Sequence, residues 1–397
     1  MKLLRLSAVF FSLVVISPVA QAELAISAND GKQVRSDDAI SVPVPDTVSV
    51  LEMRNGGAKV LGSVAAPATM IGPPTSVAVA RGSSFALVAG SQKLVNGKLV
   101  PDDILSVIDL SNPSDPKVSQ TLHAGSGATG ISISPNGKLA LVANTSDDSV
   151  SVFAISGRKL APSGKVTLDP KSAPTDVVFS RDGKMAIVVG RGSSRLIPLS
   201  VNGTTVVAAG ASFQPGMTPY SAAITHDGKY IITNNLGGAT PPAKITPAPA
   251  APGARGGPRR PATLSLTDIK TGEVVASVET GAAPEGLVLS PDGRYVVVDA
   301  GNGSPNSPTS PDFNKSFGRL EIYSVGSGSL TPVAQADTGH WCQGETFSKD
   351  GRTILLQCAA EKEIEVFHFD GKMISRDPKA TLFIGSRPGA IATALSR

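Results

Sequence analysis

The 397-residue sequence has few of the side chains on which catalytic and metal sites are usually built. It contains four histidines, two cysteines and one tryptophan, and aromatic residues make up only 4% of the chain. It has no Cys-x-x-Cys-His segment to attach a haem, and two cysteines without a histidine cluster predict no zinc site. It also has neither a Gly-x-Ser-x-Gly elbow nor a Gly-Lys-Ser/Thr phosphate loop. We therefore expect neither a metal nor an organic cofactor.

Strong charge and long apolar runs are also missing. The formal net charge is +4, and no lysine or arginine stripe interleaves with aromatic residues, so we do not expect nucleic acid as a partner. Residues 1–22 have a positive start, a short apolar middle and the small residues of Ala20-Gln21-Ala22, which together predict a signal peptide. The apolar run is shorter than the roughly 20 residues that span a bilayer. We expect a mature chain from about Glu23, exported to the periplasm or secreted, without a membrane span.

What the chain does contain is one short motif, present many times. In Pro284–Val298 an apolar run, a Pro-Asp-Gly turn and a run rich in β-branched residues follow one another, which is typical of a β-hairpin. Similar segments surround five more turn glycines: Gly82, Gly137, Gly183, Gly228 and Gly351. Successive turns are 45 to 65 residues apart, close to the length of one four-stranded propeller blade. We number these six units as blades I–VI.

A seventh unit is divided between the two ends of the sequence. The segments Leu24–Ala28, Thr47–Glu52 and Lys59–Val64 have the pattern of second, third and fourth strands, and Arg387–Ala392 has that of the missing first strand. The sequence thus predicts an all-β fold, a seven-bladed β-propeller formed by residues 23–397 as one domain. Both ends of the chain would close the ring in this blade VII, which leaves no exposed sheet edges there.

The two cysteines flank the hairpin of blade VI. Cys342 precedes its first strand and Cys358 ends its second, with the Asp350-Gly351 turn almost midway between them. Antiparallel partners lie about 4.5–5.5 Å apart at Cα, which a disulfide can bridge, and export favours its formation. We predict a Cys342–Cys358 disulfide, with two buried free thiols as the alternative.

Three long connections are predicted between the second and third strands of their blades, and all of them fall on one face of the propeller. They are Gly90–Asp103, Gly237–Ala262 and Gly301–Gly318. Loops on a rigid scaffold are where binding groups concentrate. Gly237–Ala262 is rich in proline and basic residues. It is either a tolerated surface insertion or a flap that covers the channel or contacts an acidic partner. Gly301–Gly318 lacks the ligand spacing of a calcium loop, so we predict no metal there.

Aligned first strands show which side chains should surround the mouth of the central channel. The position after the residue that starts each strand holds Thr75, Thr129, Thr175, Tyr220, Glu285, Gln343 and Gly389. Two positions further, the residues are Val77, Ile131, Val177, Ala222, Leu287, Glu345 and Ile391. Glu345 is therefore a carboxylate in an otherwise apolar column. Blade VI also carries His340 and Trp341 just before this strand.

Two hypotheses account for Glu345. In the functional one, burial raises its pKa, it works with His340 as acid and base, and Arg387 stabilises a developing oxyanion. In the structural one, the strand is bulged, Glu345 reaches a neighbouring backbone amide, and Trp341 fills the channel. The functional hypothesis predicts a small polar or anionic ligand. Its predicted contacts are Tyr220, Glu285, Trp341, Gln343 and Asp176.

Several segments resemble a known family. Asp46–Leu51 and Thr263–Val298 are similar to the YVTN-type repeats of exported bacterial propellers. Val150–Phe153 followed by Gly157–Pro162 resembles the lactonase branch related to 6-phosphogluconolactonase, and so does Leu320–Pro332. The resemblance implies a propeller fold and, in its lactonase branch, hydrolysis of lactones.

The sequence leaves three functions open. The first is an exported, monomeric binding scaffold for a small ligand or a partner protein on the long-loop face. The second is a lactonase-like hydrolase at the channel mouth. The third is a propeller subunit that supports a redox partner.

Overall fold

The computed structural model of this chain describes residues 23–32, 43–70, 72–239, 245–246, 261–305 and 309–394. The predicted signal peptide lies outside these residues. The strands form seven mainly antiparallel sheets, and the seven inner strands contact one another in a closed cycle. The structure is a seven-bladed β-propeller, as the sequence predicted. No helix in the described part of the chain is long and apolar enough to cross a membrane.

The strands follow the predicted repeat. Blade VII begins the chain with β1 (Glu23–Asp30), β2 (Thr47–Arg54) and β3 (Gly57–Ala65). Blade I is β4 (Val77–Val79), β5 (Phe85–Val95), β6 (Lys98–Asp109) and β7 (Lys117–His123). Blade II is β8 (Ala128–Ile133), β9 (Leu139–Asn144), β10 (Ser149–Ser156) and β11 (Lys159–Thr167). Blade III is β12 (Pro174–Phe179), β13 (Met185–Gly190), β14 (Arg195–Asn202) and β15 (Thr205–Ala208).

The second half of the chain carries the remaining blades. Blade IV is β16 (Pro219–Ile224), β17 (Tyr230–Asn235), β18 (Ile245–Thr246), β19 (Thr263–Asp268) and β20 (Val274–Glu279). Blade V is β21 (Pro284–Leu289), β22 (Tyr295–Ala300), β23 (Arg319–Gly326) and β24 (Ser329–Asp337), with a 3-10 helix at Phe313–Lys315. Blade VI is β25 (Cys342–Phe347), β26 (Thr353–Cys358), β27 (Glu363–Phe369), β28 (Ile374–Arg376) and β29 (Leu382–Phe383). Finally, β30 (Arg387–Thr393) returns to blade VII.

The ring is closed by both ends of the described chain. Strand β30 pairs antiparallel with β1, for example Ala25 with Thr393 and Ala28 with Ala390. This pairing confirms the predicted closure.

The repeated turns are held by their own side chains. In blade V the Ser290 hydroxyl donates to Asp292 at 2.6 Å, and the same carboxylate oxygen accepts the Arg294 amide at 3.0 Å. Gly293 has a φ of 72°, which glycine adopts without strain. Apolar side chains then fill the space between blades, where Leu287 and Val298 of blade V pack with Ile232 of blade IV. Each fully buried side chain of this kind contributes about 1.5–3 kcal/mol.

One of the three predicted long connections differs from expectation, and a second is described only in part. Residues 90–103 are largely strand, because β5 and β6 continue their pairing out to an Asn96-Gly97 turn. The prediction of a loop there is wrong, since Asn-Gly is itself a strong hairpin turn. In the Gly237–Ala262 connection, β18 pairs in parallel with β20, so these two residues lie at the outer edge of blade IV rather than over the channel. Residues 240–244 and 247–260 lie outside the described part, as do residues 306–308 of Gly301–Gly318.

Candidate functional site

The inner strands of blades II–VII each have a bulge near their starts. In blade V the register with β22 shifts between Pro284 and Leu287, and in blade VI it shifts between Cys342 and Glu345. The bulge frees backbone groups from their own sheet, and these bond the neighbouring blade. Thus the Ser221 hydroxyl of blade IV donates to the Glu285 carbonyl of blade V at 2.7 Å. We call such a contact between neighbouring inner strands a seam.

The residue before each bulged strand often has left-handed backbone geometry. It is glycine in blade II, but Ala173, Thr218, Ala283 and Trp341 take this position in blades III–VI, with φ between 42° and 55°. For residues with a side chain this geometry costs about 1 kcal/mol each. The strain recurs on the face where the predicted ligand contacts lie.

The first group of chemically useful side chains lies where the inner strands of blades IV and V start and the second strand of blade III ends. The Arg191 guanidinium lies 5.1 Å from the centre of the Tyr220 ring. Glu285 is half-buried beside them, and its pKa rises to about 8 because of burial first and the negative charge of Asp299 second, while Arg191 opposes the shift. Burial also raises the pKa of Tyr220, and Glu285 adds to the shift. A carboxyl group that can change protonation near neutral pH therefore lies beside an exposed cation.

A second carboxyl group joins this cluster from blade VI. Glu345 and Asp299 are 1% and 0% exposed and flank Gly286, where any side chain would overlap both carboxyl groups. The Gly286 amide donates to Asp299 Oδ1. Burial raises the pKa of Asp299 to about 7, and it also raises that of Glu345, with the charge of Asp299 as the next cause. Both groups therefore bind a proton more readily than an exposed carboxyl group does.

A narrow void lies beside Glu345 in the central channel. Its lining includes Thr75, Gly286, Leu287 and Ile391, and about 10 Å³ of it is open to the centre of a water molecule. That is room for about one water. A small-molecule ligand therefore has to bind at the mouth of the channel rather than beside Glu345.

His340, proposed from the sequence to work with Glu345, has other partners. Its Nδ1 lies 2.5 Å from Glu361, its Nε2 lies 2.5 Å from the Phe313 carbonyl oxygen, and its ring stacks on Phe313 at 3.6 Å between centroids. Both ring nitrogens therefore face hydrogen-bond acceptors. His340 thus fastens the connection that carries Phe313 to the start of blade VI.

Arg387 and Trp341 form a separate pair. The guanidinium carbon of Arg387 lies 5.8 Å from the centre of the Trp341 ring, and Arg387 is 5% exposed. Trp341 is half-buried, and its amide donates to the Ser304 hydroxyl at 3.2 Å. A cation over an aromatic face is a suitable subsite for a flat polar ligand.

The remaining two predicted ligand contacts bond protein groups at seams. Asp176 is fully buried and accepts the amides of Val177 at 2.8 Å and of Ala222 in the next blade at 3.1 Å. The Gln343 side chain donates to the Met70 and Gly389 carbonyls at 2.6 and 3.3 Å. These bonds join blades III to IV and VI to VII.

The predicted disulfide is present. Cys342 and Cys358 are bonded and are register partners of β25 and β26, with their Cα atoms 3.9 Å apart. Together with Glu365 they are also the one group of three possible metal ligands within the described residues. The disulfide occupies both sulfur atoms, which leaves only one ligand for an ion.

The structure therefore brings together Tyr220, Glu285 and Glu345, and it adds two residues that sequence reasoning missed. Arg191 directly follows the second strand of blade III, where a charge at the channel mouth could have been noticed. Asp299 lies one position before the strand partner of Pro284, the position that holds Asn234 in blade IV and Gln357 in blade VI. Aligning second strands as well as first strands would have revealed it.

Comparisons with known proteins agree with this fold. The family model described as "Lactonase, 7-bladed beta-propeller" matches residues 109–209, and no curated protein matches the chain. A Bacteroides uniformis protein, provisionally described as a 6-phosphogluconolactonase, is 16% identical with a TM-score of 0.67, covering 94% of this chain and 100% of that one. The periplasmic gluconolactonase of Pseudomonas aeruginosa is 14% identical with a TM-score of 0.65, covering 94% and 99%.

A third similar solved structure is named for a different enzyme activity. The hydrazine synthase of Kuenenia stuttgartiensis is 15% identical with a TM-score of 0.56, covering 76% of this chain and 78% of that one. At such identities the solved structures show a shared fold alone. The chain is thus a seven-bladed β-propeller that resembles the lactonase-like propellers, as its sequence motifs predicted.

Proposed function

We propose that this protein is an exported lactonase-like hydrolase that opens a small polar lactone at the mouth of its central channel. One observation carries the proposal: Glu285 lies beside the exposed cation Arg191, and its pKa rises to about 8 because of burial first and the negative charge of Asp299 second, while Arg191 opposes the shift. A general base or acid works best when its pKa is near the working pH. The lactonase family match and the periplasmic gluconolactonase fold favour this function over a binding scaffold.

The cluster can supply the groups that lactone hydrolysis needs. The Glu285 carboxylate takes a proton from water, and the resulting hydroxide attacks the lactone carbonyl carbon. Arg191 stabilises the oxyanion of the tetrahedral intermediate. The ring C–O bond then breaks, and protonated Glu285 returns its proton to the leaving alkoxide. The product is an open hydroxy acid, and Glu285 ends in its starting state.

The pH dependence has a definite sign. The carboxylate form of Glu285 is the base, and it accumulates as the pH rises through about 8. The enzyme-catalysed rate should therefore increase between about pH 6 and pH 9, after subtraction of spontaneous hydrolysis.

The test is a hydrolysis assay on purified protein with glucono-δ-lactone, its 6-phosphate and dihydrocoumarin. Glu285→Gln should lower kcat by about 100-fold or more, and Arg191→Ala should lower it by about 100-fold. Glu273→Gln, at an exposed turn position, is the matched control and should be unchanged. Turnover that is equal in wild type and Glu285→Gln would refute the assignment.

The same assay also tests the catalytic residues that the sequence predicted, Glu345, His340 and Arg387. If His340→Ala and Arg387→Ala abolish turnover while Glu285→Gln does not, the catalytic groups belong to blade VI instead. A second candidate function, binding without turnover, is favoured by the Arg387–Trp341 pair. Calorimetry with the open aldonate and quenching of Trp341 fluorescence would detect it. The disulfide is compatible with a periplasmic or secreted location.

A further inference from the structure

Three second strands place a polar side chain at the same point of three successive seams. Asn234, Asp299 and Gln357 each lie one residue before the strand partner of the first residue of the inner strand. Asn234 Oδ1 accepts the Ser221 amide at 2.7 Å, as Asp299 Oδ1 accepts the equivalent Gly286 amide. The three side chains therefore occupy equivalent sites.

The two amides donate across their seams. Asn234 Nδ2 donates to the carbonyls of Glu285 at 2.9 Å and Pro284 at 3.1 Å in blade V. Gln357 Nε2 donates to the Ser27 hydroxyl at 2.7 Å and the Ala390 carbonyl at 3.1 Å in blade VII. An ionised carboxylate cannot make such a bond because it has no hydrogen to donate.

At the seam between blades V and VI, Asp299 faces another acceptor. Within the described residues, Asp299 Oδ2 and both oxygens of Glu345 receive no hydrogen bond from a donor, although all three atoms are buried. Two buried carboxylates in contact cannot both stay ionised, since each lacks solvation and repels the other. A proton between them supplies the missing donor.

The surrounding charges do not replace that proton. Glu321 contributes further negative charge from blade V and is itself bonded to Arg319 and Tyr323, each at 2.6 Å, and Glu285 of the same blade is another carboxyl group rather than a cation. Arg191 acts on Glu285 and Tyr220 at the channel mouth. Blades I and VII line the adjoining void with uncharged residues such as Thr75 and Ile391.

We propose that Asp299 and Glu345 share one proton at neutral pH, and that this proton joins blade VI to blade V and positions Glu285. The connection to Glu285 is short, because Asp299 accepts the amide of the next residue, Gly286. The effect on Glu285 rests on the proposed hydrolase function, whereas the shared proton does not. Asp299 and Glu345 are positioning residues and need not touch a substrate.

The first test compares thermal stability with pH. Folding raises the pKa of both groups, so the folded state binds more protons, and their contribution to stability is lost as the pH rises from about 4 through about 7 and beyond. In Asp299→Asn the new side-chain amide donates its own hydrogen to Glu345, so this contact no longer needs a titratable proton. Its Tm relative to wild type should therefore rise steadily between about pH 5 and about pH 9.

A mirror variant is the matched control. Asn234→Asp creates a carboxyl group facing the carbonyls of Pro284, Glu285 and Gly286, so it should introduce a loss of Tm with rising pH at the seam between blades IV and V. A Tm difference between Asp299→Asn and wild type that does not change with pH would overturn the proposal. If Asn234→Asp does not fold, Gln357→Glu tests the same substitution at the next seam.

Infrared spectroscopy tests the proton directly. Glu285, with its pKa of about 8, gives a protonated-carboxyl C=O band at neutral pH in every one of these proteins, so difference spectra are needed. The wild-type spectrum minus that of Glu345→Gln, and minus that of Asp299→Asn, should each contain a further protonated-carboxyl band, whereas the wild-type spectrum minus that of Glu273→Gln should contain none. Absence of that difference band would overturn the proposal even if every variant folds.

A separate measurement tests the effect on Glu285. Removing the charge of Asp299 should move the pH–rate profile of Asp299→Asn toward acid pH, because Asp299 raises the pKa of Glu285. A merely structural role would lower the rate without moving the profile. If no lactone is hydrolysed, the proposed function fails while the stability and infrared results still decide the shared proton.

Discussion

The seam between blades IV and V and the seam between blades V and VI use equivalent positions in chemically different ways. At the first, Asn234 accepts an amide hydrogen and donates two of its own, so its bonds do not depend on pH. At the second, Asp299 meets Glu345, and the bond needs a proton. Whether an inter-blade contact in this propeller depends on pH is therefore decided by one side chain, an amide at Asn234 or a carboxyl group at Asp299. In this protein the titratable one lies beside the proposed catalytic residue.

The largest effect is expected from removing the strand that completes the ring. Deleting Gly389–Arg397 removes most of β30, including the Gly389 and Ala390 carbonyls that accept from Gln343 and Gln357. We expect aggregation or loss of cooperative unfolding, measured by circular dichroism and gel filtration. Deletion of residues 395–397 alone is the control. An unchanged Tm in the longer deletion would contradict closure by β30.

Removal of the disulfide should have the next largest effect. The Cys342–Cys358 bond closes a loop with a sequence separation of 16, at the start of the seam that lacks an amide donor. Chain-entropy reasoning gives a loss of about 3 kcal/mol for Cys342→Ser/Cys358→Ser. Urea unfolding of the double variant measures it. Thiol titration of denatured, unreduced wild type should find no free thiol, and two free thiols would contradict the bond in solution.

Removal of the Asn234 side chain from the seam between blades IV and V should lower the free energy of unfolding somewhat less than loss of the disulfide, and by an amount that does not depend on pH. Asn234→Ala leaves the Ser221 amide and the Glu285 carbonyl with fewer partners, and we expect a loss of about 2 kcal/mol at any pH between about 5 and 9. Urea unfolding at several pH values is the measurement. A stability loss in Asn234→Ala that changes with pH would contradict the proposed difference between Asn234 and Asp299.

The smallest effect concerns the left-handed residue before the inner strand of blade V. Ala283 has a φ of 54°, so Ala283→Gly should stabilise the protein by about 0.5 kcal/mol after the entropy cost of glycine. Ala282→Gly, at a neighbouring position without positive φ, should destabilise it. Equal effects of the two substitutions would show that the strain at Ala283 is unimportant.

Much of the scaffold followed from local patterns. The Asp-Gly and Asn-Gly turns and the alternating apolar strands predicted six blades, and the unpaired pattern at Arg387–Ala392 predicted how the seventh is completed. Cys342 and Cys358 could be paired because hairpin register depends on the turn between them. The 90–103 hairpin was missed because its apolar residues were counted as loop, although Asn96-Gly97 marked its turn.

The site was only partly predictable. Glu345 and Glu285 stood out because repeats can be aligned, and a carboxylate that interrupts an apolar column is visible in one sequence. The pairing of Glu345 with Asp299 was not visible, since it joins two blades across a seam whose geometry depends on the bulges of both inner strands. The partners of His340 were not visible either, since Glu361 lies 21 residues further along the chain and Phe313 lies in a connection of blade V. Its role with Glu345 remains a prediction for the assay above.

The sequence by itself determined the number of blades and the disulfide, because these depend on turn chemistry and on pairing between segments that are close along the chain. It also determined the closure of the ring, although Ala25 pairs with Thr393, because the repeat left one blade without a first strand and one first strand without a blade. The tertiary structure alone decided which polar groups meet between blades. Burial and contact set the protonation of Glu285, Asp299 and Glu345, and neither quantity exists until the seven blades have packed around one axis.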